Sequence, residues 1–414
     1  MTFGRQLRHW RQQRGMSLAA LARESYVSKG YLSRVERDLR RPQRRIVELL
    51  DAALYADGEL FAAWASEHEV PILERTAGGD TTKRRLFIKS AALASGLGLS
   101  GEHVRADQRE AQVALLRDAL IPDSPTSADA REPMVNYSRA IAIARRDFAA
   151  ARYELLADKL VPLTTAARNA SGPENLALAA QVYHLAARTL IKLSATPYAW
   201  TAAHLGERAA SASGDIGAML QARRNLVSLL HRVGDYGKAR DLVTATAETM
   251  RPYLASARPA TWGAYAALLS TGAIAAAYVD DRENASDMLN EAGHAANRAP
   301  ALLCGPGHVA TYWIGVSVIL GDAGTAIHHA DRIAPGQIPT AERRASYYTG
   351  MAQAYTMWGK IDQALRALLI AEKIAPAELT RFGTRQTIAD LLTRDPKSRL
   401  SGLRALAHRA AVIL

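Results

Sequence analysis

The sequence contains a single cysteine, Cys304, among 414 residues. One thiol closes no internal disulfide and supplies no cysteine-rich zinc site, so a disulfide-stapled domain is excluded and a reducing cytoplasm is favoured. Long apolar runs are also expected to be missing: none should reach the roughly 18 residues that a membrane span requires. These absences indicate a cytoplasmic protein without a membrane segment.

Sequence patterns of catalysis are equally scarce. The chain has no G-x-x-x-x-G-K-[ST] phosphate loop, no H-E-x-x-H zinc motif and no G-x-S-x-G nucleophile elbow. Residues 96–101 fit G-x-G-x-x-G, but they follow an alanine-rich helical segment instead of a strand. Residues 83–89 look like a twin-arginine export signal, but a whole domain precedes them. We therefore predict that the protein is not an enzyme and holds no cofactor or metal.

The positive charge is concentrated at the N-terminus. The whole chain carries a net charge of +12, and residues 1–45 hold twelve Lys/Arg against three acidic residues, which leaves +3 for the remainder. Clustered cations neutralise phosphates, so a compact basic head indicates nucleic-acid binding. At about 150 residues per domain, the length predicts two or three domains.

Periodic apolar residues predict five short helices in this head, at about 3–14, 18–25, 29–37, after Pro42, and 59–69. Gly15 is expected to end the first helix, and Ser17 and Ser28 to cap the second and third. Two short helices with a tight link predict a helix-turn-helix, whose second helix enters the major groove. The expected core is formed by Phe3, Leu7, Trp10, Leu18, Leu21, Ala22, Leu32, Val35, Ile46, Leu49, Leu50, Leu54, Leu60, Phe61 and Trp64.

The run from Gly4 to Leu54 resembles the Xre/Cro (lambda-repressor-like) DNA-binding domain and covers about an eighth of the chain. The resemblance is carried by Leu7-Arg8, Gly15-Met16-Ser17, Leu21-Ala22, Val27-Ser28, Leu32-Ser33-Arg34-Val35-Glu36-Arg37 and Pro42. It implies that Lys29, Gly30, Tyr31 and Arg34 read bases, and that Arg11 and Glu36 form an internal salt bridge. The family commonly has Gln after Ser17, where this chain has Leu18. We therefore expect the phosphate contacts at Arg8, Ser17, Ser28, Arg40, Arg41, Arg44 and Arg45.

Beyond the head, the sequence predicts a helical linker over residues 70–133 and a repetitive all-α body over 134–414. Helix pairs joined by short turns recur, and an alanine stands at the sixth position counted from the start of each turn. These anchors are Ala151, Ala239, Ala285, Ala326 and Ala364, and the last four are 46, 41 and 38 residues apart. A further pair spans about 174–212. The fold class is therefore all-α, with a five-helix head over 1–69.

The last repeat resembles a tetratricopeptide repeat, with Tyr348, Met351, Ala352, Tyr355, Ala364, Leu368, Ala371 and Pro376 at that family's spacing. The other units match this spacing poorly, so the sequence does not distinguish tetratricopeptide repeats from other helical-hairpin repeats. Together they predict a right-handed α-solenoid of about six helical hairpins.

Polar residues recur at intervals of three and four on the first helices of these hairpins. Such positions line the concave face of a solenoid, where amides bond a peptide backbone and arginine clamps a carboxylate. The predicted ligand-binding residues are Gln181, His184, Arg188, Gln221, Arg224, Asn225, Ser228, His231 and Gln353.

A helix-turn-helix head on a tetratricopeptide-like body resembles the peptide-sensing, quorum-sensing regulators of Gram-positive bacteria. The resemblance implies a homodimeric transcription regulator with two partners, a double-stranded DNA operator and a peptide or small-molecule effector, in which the body repositions the heads. C-terminal helices at about 381–392 and 398–412 are the expected dimerisation surface, unless their apolar residues only cap the last repeat. The alternative is a DNA-localised scaffold whose repeats bind a partner protein.

Overall fold

The computed structural model describes residues 2–25, 29–38, 42, 44–54, 56, 58–68, 100–121, 134–395 and 399–412. Within these ranges every regular element is a helix and no strand occurs, so the predicted all-α class is confirmed. Contacts divide the chain into two compact units, Met1–Ala111 and Gln112–Leu414. The segment at 83–99, with its two misleading motifs, lies outside the described residues.

Five helices form the first part of the N-terminal unit: α1 (Phe3–Gln13), α2 (Leu18–Glu24), α3 (Lys29–Glu36), α4 (Arg44–Leu54) and α5 (Glu59–His68). Gly15 ends α1 in the left-handed conformation, at φ +66°, where a glycine has no steric penalty. The Ser17 hydroxyl accepts a hydrogen bond from the Ala20 N–H at 3.1 Å and so caps α2. A longer helix, α6 (Ser100–Leu120), follows.

Eight of the predicted core residues are buried, namely Phe3, Leu7, Leu21, Leu32, Val35, Leu50, Leu54 and Leu60. Trp10, Leu18, Ala22, Phe61 and Trp64 are only partly buried, and the side chain of Leu49 lies outside the description. On α4, Val47 is fully buried, whereas the predicted Ile46 is only partly buried. Aspartates fix the helix ends around this core: Asp51 accepts hydrogen bonds from Gly58 and Leu60 at the start of α5. The fully or nearly fully buried apolar residues are Phe3, Leu7, Leu21, Leu32, Val35, Val47, Leu50, Leu54, Ala56 and Leu60.

The C-terminal unit consists of successive helical hairpins. Its helices are α7 (Ser138–Ala149), α8 (Tyr153–Arg168), α9 (Pro173–Lys192), α10 (Thr196–Ser213), α11 (Ile216–Arg232), α12 (Tyr236–Met250), α13 (Pro259–Tyr278), α14 (Arg282–Ala296), α15 (Ala301–Cys304), α16 (Pro306–Ile319), α17 (Ala323–Asp331), α18 (Ala341–Met357), α19 (Ile361–Ile374), α20 (Phe382–Arg394) and α21 (Leu403–Arg409). Six hairpins, from α7/α8 to α18/α19, correspond to the six that the sequence predicts, although the first turns at residues 150–152 and not at the predicted position within α7. Helices α20 and α21 form a seventh pair.

All six hairpins turn in the same way. Three residues connect the two helices, and the middle one has a positive φ; these residues are Ala151, Ser194, Gly234, Asp280, Gly321 and Gly359. The N–H of the next residue bonds the carbonyl five positions earlier, as in Asp235 to Leu230 at 3.0 Å. This is the Schellman arrangement, which satisfies carbonyls at the end of the first helix.

The first repeat corrects the predicted register. Ala151 does not anchor the second helix; it lies in the turn itself, at φ +58°. The residue that is equivalent to the buried Ala239 of the third hairpin is Leu156, which is fully buried. A larger side chain therefore fills the anchor position here, and the search for a small residue finds the wrong alanine.

The first helices of the hairpins pack side by side as an inner row, and this row closes on itself. Each helix in the order α7, α9, α11, α13, α16 and α18 contacts the next, and α18 contacts α7. Side chains that leave the hairpin cores on this inner face are therefore surrounded by other inner helices.

Residues Ala301–Ile319 are long and apolar enough to cross a membrane by length and composition, with a mean hydropathy of 1.3. The expectation that no run reaches this length is therefore wrong. Gly305 has an extended backbone and divides the stretch into α15 and α16, and α16 packs against α13 and α18. One such stretch is weak evidence for a membrane span, because a core helix has the same composition.

The C-terminal apolar residues pack within the chain. Leu403, Leu406, Ala407 and Ala410 are at most 1% exposed and belong to the core formed with α18, α19 and α20. Of the apolar run 410–414, Ala410 thus helps to cap the last repeat, whereas Ala411 is exposed, Val412 is partly buried, and 413–414 lie outside the described residues.

Candidate nucleic-acid interface and inner polar cluster

The helix-turn-helix is formed by α2 and α3, which contact each other. Lys29, Gly30 and Tyr31 lie in the first turn of α3 and Arg34 one turn later, partly buried. The N-terminal turns of a recognition helix face base edges, and the base-reading role that the resemblance implies for these positions stays a prediction.

The residues predicted to contact phosphate are spread over several elements. Arg8 is exposed on α1, and Ser17 is exposed with its hydroxyl already bonded to the Ala20 N–H. Arg44 and Arg45 open α4. The positions of Ser28, Arg40 and Arg41 lie outside the described residues.

Arg11 and Glu36 form the internal salt bridge that the resemblance implies. Arg11 Nε lies 2.5 Å from Glu36 Oε1 and Nη2 lies 2.9 Å from Oε2, a bidentate pair. Nη1 donates to the Met16 carbonyl at 2.8 Å. Both side chains are largely buried, and the hydrogen bond to Glu36 raises the pKa of Arg11. The pair ties α1 to α3 and to the link before α2.

Asp38, just after α3, strengthens the same connection. Its carboxylate accepts hydrogen bonds from the Thr2 hydroxyl at 2.7 Å and from the Gly4 N–H at 3.2 Å, at the start of α1. Any side chain at Gly4 would collide with the Val35 carbonyl. Glycine is therefore required where α1 approaches the end of α3.

In the C-terminal unit, the structure brings four predicted ligand residues together on the inner faces of α9 and α11. His184 is buried on α9, Arg224 and Asn225 are buried on α11, and Arg188 is partly buried. Asn225 Nδ2 donates to the His184 carbonyl at 3.5 Å. Arg188 lies over the Phe148 ring of α7, 4.0 Å from its centroid.

Four residues that the sequence analysis did not predict complete this cluster: Thr271, His308, Tyr312 and Arg343. Arg224 Nε donates to Thr271 Oγ1 of α13 at 3.2 Å, and Nη2 donates to Tyr312 Oη of α16 at 3.2 Å. Arg343 of α18 lies over the same tyrosine ring at 5.1 Å. His308 stacks on Tyr312 at 5.8 Å between ring centroids. The i, i+4 spacing of His308 and Tyr312 is the periodicity used for α9 and α11, and applying it to α16 would have identified them.

The other five predicted ligand residues make contacts of different kinds, and not all of them lie near Arg224. Gln181 bonds Arg145, the Gln221 backbone bonds the His184 imidazole, and the Ser228 hydroxyl donates to the Arg224 carbonyl at 2.9 Å. His231 packs against Tyr236 in its own hairpin. Gln353 lies beside Gly383 of α20. By these contacts His231 and Gln353 are not part of the cluster around Arg224.

Charge dominates the environment of the cluster. Burial, followed by repulsion from Arg188 and Arg224, lowers the pKa of His184 well below its usual value. Burial also raises the pKa of the Cys304 thiol to about 11, so this thiol stays protonated. In the described part of the chain, no three His, Cys, Asp or Glu side chains group as a metal site.

Comparison with known proteins supports one part of the chain. Residues 2–64 match the family described as "Helix-turn-helix domain". No curated protein and no solved structure matches the chain. The match spans α1 to α5 and includes α2 and α3 with the link between them. The N-terminal unit therefore carries a helix-turn-helix DNA-binding domain.

Proposed function

We propose that the protein is a sequence-specific, DNA-binding transcription regulator of the Xre type, whose helical-repeat unit senses a small ligand or peptide. The observation that carries the first part is the match of residues 2–64 to the helix-turn-helix family. In this proposal the bases are read from α3, by Lys29, Gly30, Tyr31 and Arg34. Arg34 grips guanine O6 and N7, a bidentate contact that other base pairs do not offer.

Sensing is assigned to the repeat unit because its inner helices close into a continuous row around a polar cluster. A ligand that prefers one arrangement of these helices shifts the population of that arrangement by its difference in affinity. Residues 70–133 then transmit the change to the DNA-binding heads. An all-helical chain with a helix-turn-helix domain fits a cytoplasmic regulator better than an enzyme.

The proposal includes a homodimer, because a single helix-turn-helix reads too few base pairs for a genomic site. Because Leu403, Leu406, Ala407 and Ala410 pack within the chain, we place the contact at an exposed side chain of the α20/α21 pair, Phe382, which is 70% exposed. Sedimentation of the full chain should show a dimer that Phe382→Asp dissociates. Leu302→Asp, equally exposed on α15, is the matched control.

The regulator proposal is tested by selecting binding sites for the full-length protein from random DNA duplexes. We expect enrichment of two related half-sites whose centres are about one helical turn, or a multiple of it, apart. Duplexes that are retained without any common sequence would contradict a sequence-specific regulator. Enrichment of one isolated half-site by a monomer would contradict the dimer.

A further inference from the structure

The inner polar cluster contains more positive than negative groups. Arg188 of α9, Arg224 of α11 and Arg343 of α18 approach one another closely enough that each of the latter two lowers the pKa of Arg188. Glu342 is the carboxylate beside them. It is shared with Lys192, which lies 2.7 Å from Oε1, while Arg343 Nε lies 3.0 Å from Oε2.

Arg188 and Arg224 have no ionic partner of their own. Among the described residues, no carboxylate lies within ion-pair distance of either guanidinium. The hydrogen bonds of Arg224 go to two hydroxyl groups, those of Thr271 and Tyr312, and to no carboxylate. Removing a cation from water is costly unless it is paired, so the buried Arg224 and the partly buried Arg188 in one cluster require an explanation.

Two histidines beside the arginines have an unused ring nitrogen. His184 and His308 are 9% and 8% exposed. The Nδ1 atom of His184 and the Nε2 atom of His308 are buried and have no hydrogen-bond partner. Buried polar atoms are normally satisfied by protein, water or a ligand. These two atoms belong to α9 and α16, which supply Arg188 and the Arg224-bonded Tyr312.

We propose that Arg188, Arg224 and Arg343, with His184, His308 and Tyr312 around them, form a binding site for the anionic group of the effector, a carboxylate or a phosphate. The proposal rests on the sensing function proposed above and specifies the chemistry of its ligand. Guanidinium groups bind both kinds of oxyanion through paired, charge-assisted hydrogen bonds. The anion supplies the negative charge that the cluster lacks and contacts helices α9, α11 and α18 at once.

The electrostatics of Tyr312 agree with this site. Burial opposes ionisation of the phenol, but Arg343 and Arg224 outweigh burial and lower its pKa to about 7. Burial, and then repulsion by Arg224, lowers the pKa of Arg188 to about 9. Both shifts have the direction expected where cations are gathered without sufficient anions. A bound carboxylate or phosphate removes that imbalance.

The test measures the thermal unfolding midpoint of the full-length protein in two separate titrations, one with inorganic phosphate and one with succinate. Sodium chloride at matched ionic strength is the reference for each. We expect a saturable rise of the midpoint in at least one titration, because a ligand that binds the native state stabilises it. A rise with phosphate alone assigns a phosphate ligand, and a rise with succinate alone assigns a carboxylate.

Three variants locate the effect. Arg188→Met keeps the contact with Phe148 but removes the charge, and Arg224→Met removes the second arginine; both should abolish the anion-dependent rise. Arg223→Met is the matched control, because Arg223 is adjacent on α11 but pairs with Glu207 at 3.0 Å. It should keep the rise. Without added anion, Arg188→Met should unfold at the wild-type temperature or above, whereas a structural arginine would lower it.

The proposal is overturned if neither anion raises the wild-type midpoint beyond chloride, or if Arg188→Met retains the rise. Site selection on random DNA reports separately on the regulator. If the protein selects a common DNA sequence but no anion raises its unfolding midpoint, the anion site is refuted and the proposed regulator function is unaffected. Anion stabilisation without selection supports the site and contradicts the DNA-binding function.

Discussion

Lys192 and Glu378 lie 186 residues apart in the sequence, and the ammonium nitrogen of Lys192 lies 2.8 Å from Oε1 of Glu378. The same nitrogen lies 2.7 Å from Glu342 Oε1, and the Tyr153 hydroxyl donates to Glu378 at 2.5 Å. One buried ammonium thus joins two buried carboxylates from the far end of the repeat unit. This contact closes the row of hairpins on itself.

Lys192→Met should destabilise the protein strongly. Removing one partner from a buried ionic cluster leaves uncompensated charge, which costs about 3–5 kcal/mol. Denaturant unfolding monitored by circular dichroism measures the loss. Lys159→Met is the control: Lys159 is 40% exposed, and its partner Asp147 keeps Arg152 at 2.6 Å. The control should cost at most about 1 kcal/mol, and equal losses for both variants would refute the closing role of Lys192.

The closing cluster also predicts sensitivity to acid. Burial opposes the charged form of Glu342, but Arg343 and Lys192 outweigh it and hold its pKa well below the usual value. Lys192 and then Arg381 lower the pKa of Glu378 in the same way, again against burial. Because these folded-state pKa values lie below the unfolded value of 4.5, the stabilisation is complete above that pH and is lost as the pH falls through the folded values.

Unfolding measured between pH 7 and pH 3 should therefore show wild-type stability decreasing below about pH 4.5. In Lys192→Met the carboxylates lose their closest cation, so their pKa values rise and the decrease becomes shallower. Parallel curves for the wild type and this variant would contradict the assignment of the acid sensitivity to Glu342 and Glu378.

Arg34→Ala should weaken binding to the selected DNA site by about 1–3 kcal/mol and relax the preference at one base pair. Arg8→Ala, which removes an exposed cation on α1, should weaken binding to all duplexes alike, because phosphates carry no sequence information. Gel shifts on the selected and a scrambled duplex separate the two effects. An equal loss on both duplexes after Arg34→Ala would exclude base reading by Arg34.

Glu36→Ala should destabilise the N-terminal unit before it changes sequence preference. It leaves Arg11 largely buried without its bidentate partner, at a cost of about 3–5 kcal/mol. The midpoint temperature for DNA binding by the full chain should fall, while the selected site stays the same. Glu59→Ala, at an exposed position in the first turn of α5, is the control. An unchanged midpoint with an altered site would show that Glu36 acts in recognition.

Ala151→Gly should stabilise the first hairpin. Ala151 holds a left-handed backbone at φ +58°, which costs an L-residue about 1–2 kcal/mol. Glycine removes that strain, but its greater freedom in the unfolded chain makes folding cost about 0.5–1 kcal/mol more. The free energy of unfolding should therefore rise by about 0.5–1 kcal/mol. Ala150→Gly, one residue earlier at φ −86°, has no such strain to release and should destabilise. Equilibrium unfolding in urea compares them.

Much of the local structure follows from short-range chemistry that is visible in the sequence. Gly15 ends α1 because glycine adopts a positive φ without steric cost, and Ser17 begins α2 because its hydroxyl bonds an N–H three residues later. Both effects act within four residues. The Arg11–Glu36 pair was available only through the resemblance to Xre/Cro domains. On α4 the apolar stripe contains both Ile46 and Val47, and only packing against the other helices decided which one is fully buried.

The sequence by itself determined the basic head, the helical hairpins and all their turns except the first, since propensity, periodicity and charge act over neighbouring residues. It did not determine the closure of the repeat unit, because Lys192, Glu342 and Glu378 meet only after five hairpins have added their small rotations. The same applies to the inner cluster, where Arg224 of one hairpin meets Tyr312 of another, 88 residues away. Contacts at that separation depend on the accumulated geometry of the whole stack, and only the tertiary structure decided them.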